Sequence, residues 1–229
     1  MDQMLSGKAM AIYALLLEHY GAHELKARRE PMHELISTIL SQRTTNQNEA
    51  IACRQMWEQF GSWESIRDAP VAALTEAIAP SNYPEVKAPH IQATLHKIID
   101  ARGEATIDFL RDLPLHEAMD WLMDLPGVGV KTASLVMLFC FAKPILPVDT
   151  HVHRVSQRTG LIGAKVTPDI AHAKLLDLLP NDPYILYNFH VSALKHGQQL
   201  CTWSNPKCAP CPLNGLCDYF QALKGKPAS

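Results

Sequence analysis

Apolar positions along this chain recur at three- and four-residue intervals almost from end to end, the spacing that puts them on one face of a helix. Residues 8–20 place Ile12, Leu15 and Leu16 on such a face and stop at Gly21. Pro31 opens a helix running through Leu35, Ile39 and Leu40, and residues 46–60 carry Ile51, Met56, Trp57 and Phe60 before Gly61. Ser62 caps a short helix. Residues 85–101 carry Ile91, Leu95, Ile98 and Ile99 up to Gly103, and Pro114 opens another with Ala118, Trp121 and Leu122. Residues 131–142 are apolar almost all round, which predicts a buried helix. Further helices are expected at about 150–159, 168–179 and 184–199. No useful run alternates with period two, and no repeat or low-complexity segment is present. The pattern predicts an all-α protein with short loops.

Length and charge narrow the class. At 229 residues the chain can build one large core or two modest ones. Its formal charge of −2 lacks the strong basic excess common in nucleic-acid binders, although a local patch can coexist with a near-neutral total. The basic run Lys26, Arg28 and Arg29 reads as a solvated helix end or as a phosphate patch. Met1-Asp2-Gln3 does not begin a secretory signal. The longest apolar run, Leu135 to Ala142, is too short to span a bilayer. The expectation is a soluble, cytoplasmic protein with no membrane partner.

Four of the six cysteines, Cys201, Cys208, Cys211 and Cys217, fall within seventeen positions in the spacing C-x6-C-x2-C-x5-C. Thiolates crowd in this way when they share a metal centre. Structural zinc usually takes two C-x2-C pairs. Here one such pair is flanked by a lone cysteine on each side, which favours a [4Fe–4S] cluster, whose ligands are all cysteine. Zinc and a disulfide pair are the alternatives, and disulfides are rare in the cytoplasm. Cys53 and Cys140 lie in apolar helical context and are expected in the core as small hydrophobes.

The segment from Asp124 to Ala133 (DLPGVGVKTA) lies between two predicted helices. Its glycines open backbone conformations closed to other residues, and the free N–H groups of the next helix make an anion site suited to a phosphate. With helices on both sides this is the helix-hairpin-helix signature, which grips a DNA backbone without reading bases. Lys131 sits in the first helical turn. There the macrodipole disfavours an ammonium and the apolar neighbourhood pushes the same way, which suits a Schiff-base nucleophile. The hairpin alone also admits a lysine that only pairs with phosphate. Asp149 tips the balance, because the chain leaves along one helix and can return Asp149 to the neighbourhood of Lys131. A carboxylate there could take the lysine proton or stabilise a cationic sugar, and it could equally be a plain N-cap.

LPGVGVKTA (125–133), VDTHVHR (148–154), the eighteen-residue offset from Lys131 to Asp149, His196-Gly197 and the cysteine loop together resemble the endonuclease III family of helix-hairpin-helix DNA glycosylases. The resemblance runs from about residue 30 to 220. It implies two helical domains with a DNA-binding cleft between them. One is a six-helix barrel with the hairpin at 30–145. The other is an iron–sulfur cluster domain built from 1–29 and 146–229. It implies a bifunctional glycosylase with AP lyase activity, excising damaged bases, with oxidised pyrimidines such as thymine glycol as the family's substrates. A damaged nucleotide would flip out of the duplex, Lys131 would attack C1′ with help from Asp149, and β-elimination would nick the strand. The expected partner is double-stranded DNA carrying a damaged base or abasic site, bound by a monomer. Implied DNA contacts are Gln42, Arg43, Asn82, Leu125, Gly127, Gly129, Val130 and His151.

Several positions depart from the family pattern. An ungapped match puts Arg43 where the family has a gap-filling glutamine, with Gln42 beside it, and either could plug the duplex. Asn82 stands nearest the family's leucine wedge and is a poor apolar wedge. Val130 and Gln198 replace arginines, and the loop between Cys201 and Cys208 holds one positive charge, Lys207. These changes point to a weaker backbone grip. The mismatch-repair adenine glycosylase needs a glutamate where this chain has Thr38. A DNA-binding or redox-sensing iron–sulfur protein on the same scaffold is the alternative from another class, although it would need neither Lys131 nor Asp149. A small electron carrier would leave the hairpin unexplained.

Overall fold

A computed structural model describes residues 3–27 and 29–224, so Arg28 of the basic run lies outside the described residues. Among the described residues the secondary structure is helical throughout, without a strand. No helix among them is long and apolar enough to cross a membrane. The chain divides into two compact units: Ala27–Phe141, and the described parts of Met1–Lys26 and Ala142–Ser229.

The contiguous unit holds α2 (Pro31–Leu40), α3 (Asn46–Phe60), α4 (Trp63–Asp68), α5 (Val71–Ala77), α6 (Pro84–Arg102), α7 (Leu115–Met123) and α8 (Val130–Phe141), with 3₁₀ turns at Ala79–Ser81 and Asp108–Arg111. Local chemistry sets the helix ends. The Glu30 carboxylate accepts from the N–H groups of Met32 and His33 with Pro31 in the first turn, so α2 starts sharply. Thr45 caps α3, and Gly61 ends it in the left-handed region. α8 is buried from Thr132 to Phe141, as its all-round apolar pattern predicts, and packs against α2 and α7. α6 packs on α4 and α5.

The second unit is built on the pairing of α9 (Thr150–Arg158) with α11 (Pro183–Gln199). α1 (Gln3–Tyr20) packs on α11, and α10 (Pro168–Leu176) and α12 (Asp218–Lys224) pack on α9. Two helices carried no readable period. α5 spans only seven residues, and α12 buries none of its own. α10 stops at Leu176, three residues before the expected end, because Leu178 and Leu179 turn back with N–H bonds to Leu175 and Leu176.

Cys140 is buried as expected, but Cys53 is only half-buried. Its thiol donates to Glu49 Oε1 at 3.2 Å. Glu49 is itself buried, and its Oε1 also accepts from Ser37 Oγ at 2.6 Å and Arg29 at 3.0 Å. Burial raises the Glu49 carboxyl, and the bonds from Ser37, Arg29 and Cys53 outweigh it, holding the group below the usual carboxylate range.

Candidate active site

In the contiguous unit, the hairpin between α7 and α8 is pinned by its apolar residues. Leu125 and Val128 are buried, and the Val128 N–H donates to the Leu125 carbonyl at 3.1 Å. The Leu125 side chain is therefore core rather than a contact surface, because only 3% of it is exposed. Thr94 of α6 donates its hydroxyl to the Pro126 carbonyl and Gln42 donates its amide to the Gly127 carbonyl, each at 2.9 Å. The Gly129 carbonyl accepts from the Ala133 N–H at 3.0 Å. The hairpin's carbonyls are thus drawn onto the protein. The opening N–H groups of α8, which no helix start can satisfy internally, carry the positive end of the dipole.

The two hairpin glycines differ in kind. Gly127 has φ +77°, and a Cβ there would lie 3.0 Å from His90 Nδ1 and 3.2 Å from its Cβ. Gly129 is exposed, and a Cβ there would meet nothing within 4 Å. Val130 and Lys131 are the first two residues of α8, both half-buried.

Beside the hairpin, the unit joins two loops. α2 ends at Leu40 and the chain passes through Gln42, tethered to the hairpin, to exposed Arg43 with φ 54°. Asn82 donates its side-chain amide to the Arg43 carbonyl at 2.9 Å. Beneath them the Lys87 ammonium, 4% exposed, donates to the Leu40 carbonyl at 2.7 Å and also to the Ser81 carbonyl. Burial lowers the Lys87 amine to about 8.

In the other unit, Asp149 caps α9. Its Oδ1 accepts from the N–H groups of His151 at 2.9 Å and Val152 at 2.7 Å. Both cap bonds fall on one oxygen, so the cap makes no use of Oδ2. One turn on, buried Arg154 donates to the carbonyls of Cys201 at 2.8 Å and Gly197 at 2.7 Å, and lies 3.1 Å from His151 Nδ1. Burial lowers the Arg154 guanidinium below its ordinary range. Gly197 is small for a reason: a Cβ there would sit 2.7 Å from the His151 Cβ, so the close approach of α11 to α9 requires glycine. His151 is part of that packing, with a ring nitrogen shared with Arg154.

Farther along this unit, Cys201, Cys208, Cys211 and Cys217 all line one pocket, walled by Val155, Leu200, Leu213 and Phe220. Arg158 donates to the Cys201 sulfur at 3.3 Å and to the carbonyls of Thr202 and Trp203. His196 Nε2 lies 3.4 Å from the Cys211 sulfur, and its Nδ1 lies 3.1 Å from the Tyr20 hydroxyl. Among the described residues no carboxylate lines the pocket. Among the described residues no three His, Cys, Asp or Glu side chains gather as ligands of a single metal ion. An all-sulfur donor set, spread round an apolar pocket and supplied with N–H donors, fits a cubic cluster that takes one thiolate at each corner.

Comparison with known proteins places these features. Residues 36–181 match the profile of the HhH-GPD superfamily of base excision DNA repair proteins. The chain is 33% identical over 192 residues to endonuclease III of Thermotoga maritima, covering 84% of each chain. This protein belongs to the endonuclease III family. A solved endonuclease III, trapped as a covalent intermediate with DNA, superposes with a TM-score of 0.80 at 26% identity, covering 95% of this chain and 98% of that one. The DNA glycosylase/AP lyase ROS1 of Arabidopsis thaliana is 29% identical over 173 residues, where the match covers 69% of this chain and 12% of that much longer one.

Within this endonuclease III family member, Lys131 stands in the first turn of α8, Asp149 caps α9 and the four cysteines share one pocket, while the sequence leaves Gln42 and Arg43 undecided. Gln42 is tied to the hairpin and Arg43 is exposed. The sequence did not disclose Lys87, Thr94, Arg154, Arg158 and Tyr20. All but Tyr20 act on main-chain carbonyls, which carry no residue identity for a motif to record.

Proposed function

We propose that this protein is a bifunctional DNA glycosylase with AP lyase activity in base excision repair, acting on double-stranded DNA with a damaged base or abasic site. Oxidised pyrimidines such as thymine glycol are the proposed substrates. The observation that carries the reading is Lys131 in the first turn of α8, directly after a hairpin whose carbonyls are drawn inward. The opening N–H groups of that helix hold a DNA phosphate and so fix the backbone beside the lysine.

In the proposed reaction the Lys131 amine attacks C1′ of the extruded nucleotide as the N-glycosidic bond breaks, and the base leaves with its electron pair and takes up a proton. The adduct loses its amine proton, the C1′–O4′ bond opens as O4′ takes up a proton, and the resulting iminium acidifies C2′. Loss of the C2′ proton and departure of the 3′ phosphate nick the strand. Asp149, whose cap leaves Oδ2 unused, is assigned to accept the amine proton or to stabilise the cationic sugar. Cys201, Cys208, Cys211 and Cys217 would hold a [4Fe–4S] cluster that shapes the loop they frame. Arg158, donating to the Cys201 sulfur, would offset the thiolate charge there, and His196 Nε2 lies beside the Cys211 sulfur.

The deciding experiment mixes the purified protein with a duplex carrying one abasic site, adds borohydride and looks for a covalent complex, with Lys131→Gln alongside. A complex formed only by the unmutated protein is expected. Trapping that survives the substitution would mean that another amine is the nucleophile. No complex from protein that retains its cluster absorbance would favour a binding or redox-sensing role.

A further inference from the structure

The face of α1 that buries Ile12 and Leu16 continues at the same spacing of four to Tyr20, the last residue of the helix. There the Tyr20 hydroxyl lies 3.1 Å from Nδ1 of His196, and Nε2 of the same ring lies 3.4 Å from the Cys211 sulfur. His196 is 1% exposed, and its main-chain carbonyl accepts the N–H groups of Leu200 at 3.0 Å and Cys201 at 2.8 Å. One residue of α11 therefore reaches the first cysteine of the loop through its main chain and the third through its ring. A neutral imidazole carries one proton for two nitrogens, so its partners decide which nitrogen donates.

At the sulfur end chemistry fixes the answer. A cysteine that holds a metal is a thiolate and can only accept, so Nε2 must carry the proton. Nδ1 is then a bare acceptor and needs a donor. The Tyr20 hydroxyl supplies it: burial, with the sulfurs of Cys211 and Cys201 nearby, pushes the phenol up to about 12, so it keeps its proton. We infer that Tyr20 fixes His196 in the tautomer whose Nε2–H donates to the Cys211 thiolate, which brings the last turn of α1 into the surroundings of the cofactor. The inference rests on the four cysteines holding an iron–sulfur cluster, and it deepens that reading by giving their sulfurs a second N–H donor besides Arg158. Tyr20 is a positioning residue: it acts through His196 rather than on a sulfur. An added electron makes the sulfurs of a cluster more negative, so a donor at Cys211 stabilises the reduced form and raises the potential.

The test uses the full chain with its cluster and reads iron content, visible absorbance and the reduction potential by spectroelectrochemistry. Tyr20→Phe removes only the hydroxyl. It should keep the iron and the absorbance of the unmutated protein and favour the oxidised form about tenfold, which is a potential about 59 mV lower for one electron. His196→Gln keeps a side-chain N–H that needs no partner at Tyr20, so adding Tyr20→Phe to it should shift the potential no further. Full iron content with a potential unmoved by Tyr20→Phe would overturn the inference. So would a potential that rises, because the ring would then present its bare nitrogen to the sulfur. Loss of iron from Tyr20→Phe would mean that the hydroxyl supports the fold rather than the ring's proton, and would overturn it too. An undiminished shift in the His196→Gln background would show that Tyr20 acts by another route; if that variant does not fold, Tyr20→Phe alone decides. Unmutated protein that carries no iron would sink the cluster reading, and the inference with it.

Discussion

The hairpin glycines allow folding and binding to be separated by two substitutions two residues apart. At Gly129, alanine meets nothing within 4 Å and needs no left-handed backbone. Its effect on stability is the difference of two small terms. Alanine caps a helix less well than glycine, by a few tenths of a kcal/mol to about 1, and it stabilises by about 0.4–1 kcal/mol through a stiffer unfolded chain. The melting temperature should therefore stay within about 2 °C. Binding should suffer, because the new methyl group occupies the space a phosphate takes at the start of α8. Gly127→Ala should do the reverse first. A Cβ at φ +77° costs about 1–2 kcal/mol, and displacing the His90 ring adds about 1. The expected drop in melting temperature is roughly 5–10 °C, partly recovered in a double variant with His90→Ala. The assay pairs thermal unfolding with fluorescence anisotropy on an abasic-analogue duplex across a salt series. Gly129→Ala should weaken binding and make the slope of log K against log salt shallower by about one phosphate contact. If Gly129→Ala binds with unchanged affinity and slope, the N–H groups opening α8 hold no phosphate, and the physical basis for placing DNA there is gone.

Asp149 permits a similar separation: Asn caps a helix about as well as Asp, so Asp149→Asn should melt with the unmutated protein while Asp149→Ala costs about 1 kcal/mol, and both should slow base release by about 10²-fold or more. Single-turnover kinetics decide, and Asn acting at the full rate would reduce Asp149 to a cap. Cys208→Ala should lose the visible absorbance of the cluster and yield less soluble protein; a soluble variant with full absorbance would mean that Cys208 is not a ligand. Glu49 is held below its unfolded-state value, so its stabilisation is complete above the unfolded pKa and is lost as pH falls through the folded one. Glu49→Gln should accordingly flatten the fall of melting temperature below about pH 4.5, and an acid profile like that of the unmutated protein would assign the sensitivity elsewhere.

The sequence discloses what repeats or stands out in composition. α8 was legible because an unbroken apolar run has one stable place to go, and the hairpin because turn chemistry needs glycine and proline at fixed offsets. The cysteines stood out because four of the six fall within seventeen positions. What stayed hidden depends on partners without side-chain identity. Lys87 reads as one surface lysine among many until the Leu40 carbonyl is placed 2.7 Å away. Gln42 and Arg43 are equivalent candidates on paper, and only the bond from Gln42 to the Gly127 carbonyl shows which of the two is already occupied. Leu125, grouped with the DNA contacts by its motif, is in the core because the hairpin needs an apolar anchor.

The unit bearing the cysteines is assembled from both ends of the chain, with residues 27–141 running uninterrupted between its two parts. Synthesis therefore runs in a fixed order. At about 5–20 residues per second, some ten to thirty seconds separate the emergence of α1 from that of α11, on which it packs. Until then α1 lacks α11, and by the end of that interval everything needed for the contiguous unit has left the ribosome. The four cysteines at 201–217 follow later still, so any metal they hold is acquired after the hairpin and Lys131 have been synthesised.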